Sequence, residues 1–250
     1  MNPRRCILPL LLISLAAGCG QHGPHPTQGY IEADYVYPAS PFGGRLLERP
    51  VTRGQAIHAG DLLAALDTDE EQLQVAQLAA AEELSRLEAD RRQNLAGKDV
   101  IAKSEWDQAR LAHAQQQKQL EQARWRLEQK RVSAPCAGLV HETYFEPGDW
   151  VPAGRPLVAI LPPDKLKARF YLSAPEAEKL HAGATVRVRS GGAAPQADAT
   201  VSFISDRPEY TPPVIYSRDR RDKLVFLIEA RLPAAEAARF HPGQPIEIIF

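Results

Sequence analysis

Pro41-Phe-Gly-Gly44 and Gly54-Gln-Ala-Ile-His-Ala-Gly60-Asp-Leu-Leu-Ala-Ala-Leu66 are written a second time as Pro135-Cys-Ala-Gly138 and Gly148-Asp-Trp-Val-Pro-Ala-Gly154-Arg-Pro-Leu-Val-Ala-Ile160. Pro41, Gly44, Gly54, Ala59, Gly60, Leu63 and Ala65 recur as Pro135, Gly138, Gly148, Ala153, Gly154, Leu157 and Ala159, each 94 positions on. Two copies are too few for a solenoid, in which each unit needs neighbours on both sides. They suit two short β units that pair with each other. The matched glycines Gly44, Gly54, Gly60, Gly138, Gly148 and Gly154 are read as turn residues, because a positive φ strains any residue with a Cβ. If the units pair, whatever lies between them must leave and return at one place.

That insert is helical. From Asp67 to Arg131 there is no proline, Gly97 is the only glycine, and Ala, Leu, Glu, Gln and Arg fill the segment. Asp67-Thr-Asp-Glu-Glu71 supplies a cap and negative charge for a helix start. The outgoing stripe is read as Leu73, Ala80, Leu84 and Leu87, with Gln77 as a polar interruption. A break follows at Gly97-Lys-Asp99, and Ser104 with Glu105 is expected to open the return helix. The return stripe reads Trp106, Ala109, His113, Gln116, Leu120, Ala123 and Leu127. So narrow a stripe predicts an antiparallel coiled-coil hairpin of about 45 Å.

The first 19 residues read as an export signal: Arg4 and Arg5, an apolar run from Ile7 to Leu15, then Ala16-Ala-Gly18. Leu15-Ala-Ala-Gly-Cys19 resembles a bacterial lipobox, which implies lipidation of Cys19. Cleavage at a nearby bond with Cys19 unmodified is the alternative. His22 to Gly29 reads as a tether. A net charge of −1 gives no footprint for nucleic acid. The seven histidines share no ligand spacing, so neither metal nor cofactor is expected. No nucleophile motif or phosphate loop points to an enzyme. After the second repeat, Leu166–Leu172, Thr185–Arg189 and Leu224–Ala230 are strand-like. Ala174–His181 and Ala234–Phe240 are short helical stretches, each followed by a glycine (Gly183, Gly243) and another strand. Short strands at close spacing predict a small β-barrel.

Three stretches then resemble the hemolysin D-type membrane fusion proteins, the periplasmic adaptor subunits of bacterial exporters. Val132-Ser-Ala-Pro135-Cys-Ala-Gly138-Leu-Val140 with Pro147-Gly-Asp-Trp-Val151 is similar to the second half of the family's split lipoyl-like domain. Arg91 to Ala109 resembles the hairpin tip that meets a TolC-type outer-membrane channel. Arg91 and Leu95 match its motif, Ala102 stands where the family has serine, and Ser104 follows two residues later. Glu209 to Phe226 resembles a stretch of adaptor barrels that serve ABC-type exporters.

The resemblance implies a mixed α and β, elongated and modular fold. A lipoyl-like β domain is split by an antiparallel coiled-coil hairpin and followed by a small β-barrel. The expected divisions are signal 1–19, tether and first strand 20–36, first lipoyl-like half 37–66, hairpin 67–131, second half 132–163 and barrel 164–250. The last strand-like run, Ile246–Phe250, is expected to end the barrel, leaving no further membrane-proximal domain. The implied function is non-enzymatic: a ring-shaped homo-oligomer in the periplasm links an inner-membrane, ABC-type transporter to an outer-membrane channel. Arg91, Leu95, Ile101, Ala102 and Ser104 are the implied channel contacts, and a lipid on Cys19 the anchor. The inner membrane is the expected site of that anchor, and Gly20 after the cysteine leaves the outer membrane open. Two alternatives stand beside it: a structural periplasmic coiled-coil protein, and a lipoyl or biotinyl carrier, for which the repeat junctions lack a matching lysine motif.

Overall fold

The computed structural model describes residues 26–190, 196–210 and 224–250. Cys19 with the rest of the leader, and most of the Glu209–Phe226 stretch, lie outside them.

The repeats build one platform from interleaved strands. The first half supplies β2 (Gly44–Glu48), β3 (Ala56–Ile57) and β4 (Leu62–Leu66); the second supplies β5 (Arg131–Ser133), β6 (Gly138–Thr143), β7 (Trp150–Val151) and β8 (Val158–Leu161). They form two sheets, ordered β5-β4-β2-β7 and β3-β6-β8, and each sheet draws on both halves. The core obeys the same offset. Leu46 and Val140, Ile57 and Val151, Leu63 and Leu157, and Leu66 and Ile160 are pairs 94 apart, all buried.

Hydrogen bonding reveals an internal two-fold relation. The Gly54 N–H donates to the Val140 carbonyl at 2.8 Å, and the Gly148 N–H donates to the Leu46 carbonyl at 2.8 Å. Swapping the halves exchanges these two bonds. Gly60 to Ala134 and Gly154 to Ser40, both 2.8 Å, are exchanged likewise. Gly54 (φ 84°) and Gly148 (φ 103°) sit at the third position of turns closed by Gln55 N–H to Thr52 O and Asp149 N–H to Glu146 O. That position needs positive φ in a type II turn, which glycine alone adopts without strain.

Gly44 and Gly138 do not fit the turn reading. They open strands β2 and β6 and are absent from the positive-φ set. At Gly138 the reason is close approach: a Cβ there would stand 2.6 Å from the Leu161 carbonyl oxygen and 2.7 Å from Ile160 Cγ2, whereas on Gly44 its nearest neighbour would be Lys130 Nζ, at 3.1 Å.

The barrel follows the platform. Its strands are β9 (Leu166–Ser173), β10 (Thr185–Ser190), β11 (Gln196–Ile204), β13 (Leu224–Arg231) and β14 (Pro245–Ile249), with β12 (Glu209–Tyr210) appended to β13. The sixth wall strand comes from the far N-terminal side: β1 (Thr27–Ala33) pairs antiparallel with both β14 and β9. Pairing of β11 with β13 closes the cylinder. The barrel is thus discontinuous in sequence, and 164–250 lacks one of its staves. The tether expected to run to Gly29 ends before Thr27. Helices α3 (Ala174–Ala177) and α4 (Ala234–Ala237) are shorter than expected, because a turn closed by His181 O and Ala184 N–H, and its counterpart at His241 and Gln244, begins soon after each. Strand β11 had gone unread, although Ala197, Ala199 and Val201 alternate inward against polar neighbours.

Candidate functional site: the helical hairpin, its base and its tip

Helices α1 (Asp69–Ala96) and α2 (Lys103–Glu128) form the insert as an antiparallel hairpin. Helix α2 turns its expected stripe inward, burying Ala109, Leu120 and Ala123 and half-burying Trp106, His113, Gln116 and Leu127. Helix α1 does not. Leu73, Leu84 and Leu87 are 73%, 71% and 49% exposed, and Ala80 is exposed with them. The residues turned to α2 are Val75, Leu78, Glu82, Ser85, Ala89 and Arg92, again in steps of three and four. A polar contact helps to set this register, since Glu82 Oε1 lies 2.7 Å from His113 Nε2 across the pair. Two stripes of heptad spacing therefore run along α1, and the more leucine-rich one faces out.

The base of the hairpin is closed. The Leu66 N–H donates to the Lys130 carbonyl at 2.9 Å, and the Asp67 N–H to the Arg45 carbonyl at 2.8 Å. Lys130, 6% exposed, extends its Nζ to Glu71 Oε1 and the Gly43 carbonyl, both at 2.8 Å, and toward the Asp67 carbonyl at 3.4 Å. A buried ammonium is tolerated because each of these partners is an acceptor. Ser40 Oγ donates to the Gln129 carbonyl at 2.9 Å, and Phe42 meets Trp125 edge-on with centroids 5.5 Å apart. At the helix start, Asp67 Oδ1 accepts the Asp69 N–H. That bond, followed by the one from Arg45, holds the Asp67 carboxyl below its ordinary range. Lys130 as an anchor was not foreseen; its one signal was position, at the edge of the second repeat and beside the returning helix.

At the far end, Gly97 N–H bonds to Gln93 O, and Asp99 (φ 56°), the last residue of the expected Gly97-Lys-Asp99 break, adopts the left-handed conformation of the turn. Ala102, not Ser104, is the N-cap of α2. Arg91, Ala102 and Ser104 are exposed, while Leu95 and Ile101 are half-buried. The exposed apolar group at this end is Val100, 64% exposed, which the sequence reading passed over for its neighbour Ile101. All six tip residues lie in the loop between the helices, on the last two turns of α1 or on the first turn of α2.

The geometry of a closed base, a helical rod and a split β platform has close counterparts. The family described as RND MFP, barrel-sandwich hybrid domain (MFP, membrane fusion protein) matches residues 39–162. Residues 39–162 thus carry the barrel-sandwich hybrid domain of the membrane fusion proteins. The protein YdhJ of Escherichia coli K12, itself uncharacterized, is 29% identical over 181 residues, covering 66% of this chain and 62% of that protein. An uncharacterized protein of Haemophilus influenzae is 26% identical over 136 residues, 54% of this chain and 36% of its own length. The chain thus spans less than two thirds of the curated relatives it matches.

Among solved structures of membrane fusion proteins, a MacA–MexA chimera carrying the Pseudomonas aeruginosa MexA α-hairpin superposes with a TM-score of 0.73. It is 19% identical, over 90% of this chain and 80% of that one. Spr0693 of Streptococcus pneumoniae R6, a membrane fusion protein, gives 0.67 at 20% identity, over 90% and 97% of the two chains. These likenesses establish the fold: helical pair, barrel-sandwich hybrid and closed six-stranded barrel together. Among the described residues, no helix is long and apolar enough to cross a membrane.

Proposed function

We propose that this membrane fusion protein is a non-enzymatic periplasmic adaptor that links an inner-membrane exporter to an outer-membrane channel. Several copies stand side by side in a ring, with the tips toward the channel and the barrels toward the exporter. The observation that supports it best is the closure of the hairpin's base. With Leu66 bonded to Lys130 and the Lys130 ammonium bound to Glu71 and Gly43, the rod is fixed to the platform. Its tip is then carried about 40 Å away. A spacer needs no such fixed origin, whereas a part that must meet a second membrane does. We assign the exporter to the ABC type on the resemblance of Glu209 to Phe226, and we assign Cys19 a lipid that holds the chain at the inner membrane.

The carrier alternative fails at one residue. A swinging-arm carrier presents its modified lysine to solvent at the junction of its half-repeats, and the lysine nearest that junction, Lys130, is buried in an ion pair.

Affinity purification of the full chain from detergent-solubilised envelopes, with mass-spectrometric identification of what accompanies it, tests the proposal. An inner-membrane transporter and an outer-membrane channel are expected together. Recovery of the chain with neither would overturn the adaptor reading, and recovery with a transporter of another class would overturn only the ABC assignment. Replacing Cys19 with serine is expected to release the chain from the membrane fraction.

A further inference from the structure

The two-fold relation of the platform produces two equivalent corners, and they are filled differently. Strands β2 and β6 each carry a bulge at the same repeat position. Leu46 and Glu48 pair with successive residues of β4, which leaves Leu47 extra; Val140 and Glu142 pair with successive residues of β8, which leaves His141 extra. A bulge re-aims its extra side chain out of the regular ladder. At the second corner His141 turns onto Tyr35, with ring centroids 4.5 Å apart, and the Tyr37 ring lies 6.3 Å from that of Tyr35. Tyr144 joins the group: burial, followed by the neighbouring Tyr37 and Tyr144 phenols, raises the Tyr35 hydroxyl above its ordinary range.

The first corner has the same backbone and none of these rings. The Leu66 N–H donates to the Lys130 carbonyl as the Ile160 N–H donates to that of Val36, both at 2.9 Å. The offset of 94 therefore holds for the segments that cross each corner. It sets Gln129, Arg131 and Pro50 where the second corner has Tyr35, Tyr37 and Tyr144, and Leu47 where it has His141. The result is an open cavity of about 590 Å³ with no aromatic residue in its lining, within the roughly 300–1,000 Å³ of small-molecule sites. Leu47, half exposed, lies in it beside Ala65 and Leu66, while α1 borders it with Gln72 and α2 with Leu127.

The rim carries charge of both signs. Arg124 and Arg131 are exposed there with Glu48 and Glu128, and none of the four makes an ion pair among the described residues. A guanidinium stacks on an aromatic face and keeps its N–H groups free for polar substituents. The space vacated by the tyrosines, above an aliphatic floor and beside two free guanidinium groups, matches a flat ring with polar groups on it. A flexible alkyl chain would use neither feature.

We propose that the cavity between the platform and the hairpin's base binds a planar, polar-substituted aromatic molecule, which takes the place that Tyr35 and His141 fill at the second corner. A ligand seated there touches the sheet and both helices, so it stiffens the joint that aims the rod. The site stands apart from the tip and from the ring, and its loss leaves both untouched.

2-Naphthol is the probe, titrated into the full chain and followed by its own fluorescence and by hydrogen exchange. Saturable binding is expected, with slower exchange in the first turns of α1 and the last turns of α2. Leu47→Trp fills the corner from within and is expected to weaken binding by about tenfold or more, with melting unchanged or raised. Leu47→Asp, which charges the floor, is expected to weaken it as much, and Leu73→Gln on the outer stripe to leave it unchanged. Binding that survives both Leu47 substitutions, or that is lost with Leu73→Gln, would overturn the proposal. Equal displacement by 1-octanol would overturn it by making the cavity merely apolar. Binding that fades as self-association rises would overturn it by assigning the cavity to another copy, and no saturable binding would overturn it outright.

Discussion

In the platform, eight core residues in four pairs 94 apart are each no more than 3% exposed, whereas helices α1 and α2 bury only Ala89, Ala109, Leu120 and Ala123. The platform closes its hydrophobic surface on itself through a two-fold exchange of strands. The hairpin buries small side chains and a Glu82–His113 contact inside, and leaves its leucines outside. Helices of this composition gain most of their stability from what packs on them. The difference teaches that the platform is a finished object, whereas the hairpin leaves apolar surface uncovered along its side and at its tip.

Substitutions in the two regions sharpen this contrast. The largest effect is expected from Gly138→Val, which drives a branched side chain into the Leu161 carbonyl; a loss of about 3 kcal/mol is predicted by urea denaturation, at the top of the range for overpacking. Gly148→Val meets no atom within 4 Å but must hold φ 103°, so about 1–2 kcal/mol is expected. Equal losses at the two sites would break the distinction between close approach and turn geometry. At the joint between the regions, Lys130→Met leaves Glu71 without its cation. It is expected to cost about 3 kcal/mol or loosen the base enough for α1 and α2 to gain hydrogen exchange.

Within the hairpin the effects fall away. Leu120→Ala in the seam is expected to cost about 2 kcal/mol, at the low end for a core leucine because its surroundings are small. Leu73→Gln on the outer stripe should change the monomer's stability by less than about 0.5 kcal/mol. A loss as large as that of Leu120→Ala would mean that the stripe is packed within the chain. The smallest expected effect is at Asp67. Its carboxyl is held low, so its contribution is complete above the ordinary carboxylate range and fades as pH falls through the lowered value. Arg45→Met should move the Asp67 titration upward by NMR with little change in melting.

How far the sequence could be read follows the same division. The repeat announced the platform because glycine turns and buried residues are tied to fixed positions, and an offset of 94 preserves them all. It could not distinguish Gly138, a glycine for lack of space, or Gly44, which opens a strand, from those that are glycines for their φ. The hairpin was legible as helix but not as to face. Hydrophobicity alone selects the stripe richest in leucine, and here that stripe serves the outside, while Glu82, Ser85 and Arg92 sit in the seam. The tip residues Arg91 and Leu95 came from a resemblance, and Val100 was missed because its exposure depends on the left-handed turn at Asp99. Lys130 was passed over because a buried cation is visible only through its partners. Strand β1 was separated from its barrel because pairing with β9 and β14 spans most of the chain, a distance no local pattern records.

Docking at the tip is the claim on which the adaptor reading turns, and Leu95→Asp is expected to abolish export while leaving platform, barrel and ring intact. The most direct measurement is photo-crosslinking in the intact envelope, with a photoreactive amino acid placed at Val100 of the full chain and, in a second strain, at Leu73 near the base. The account predicts that Val100 labels an outer-membrane channel and that Leu73 labels only another copy of this chain. Labelling of the channel from Leu73 and not from Val100, or of no outer-membrane protein from either, would contradict it.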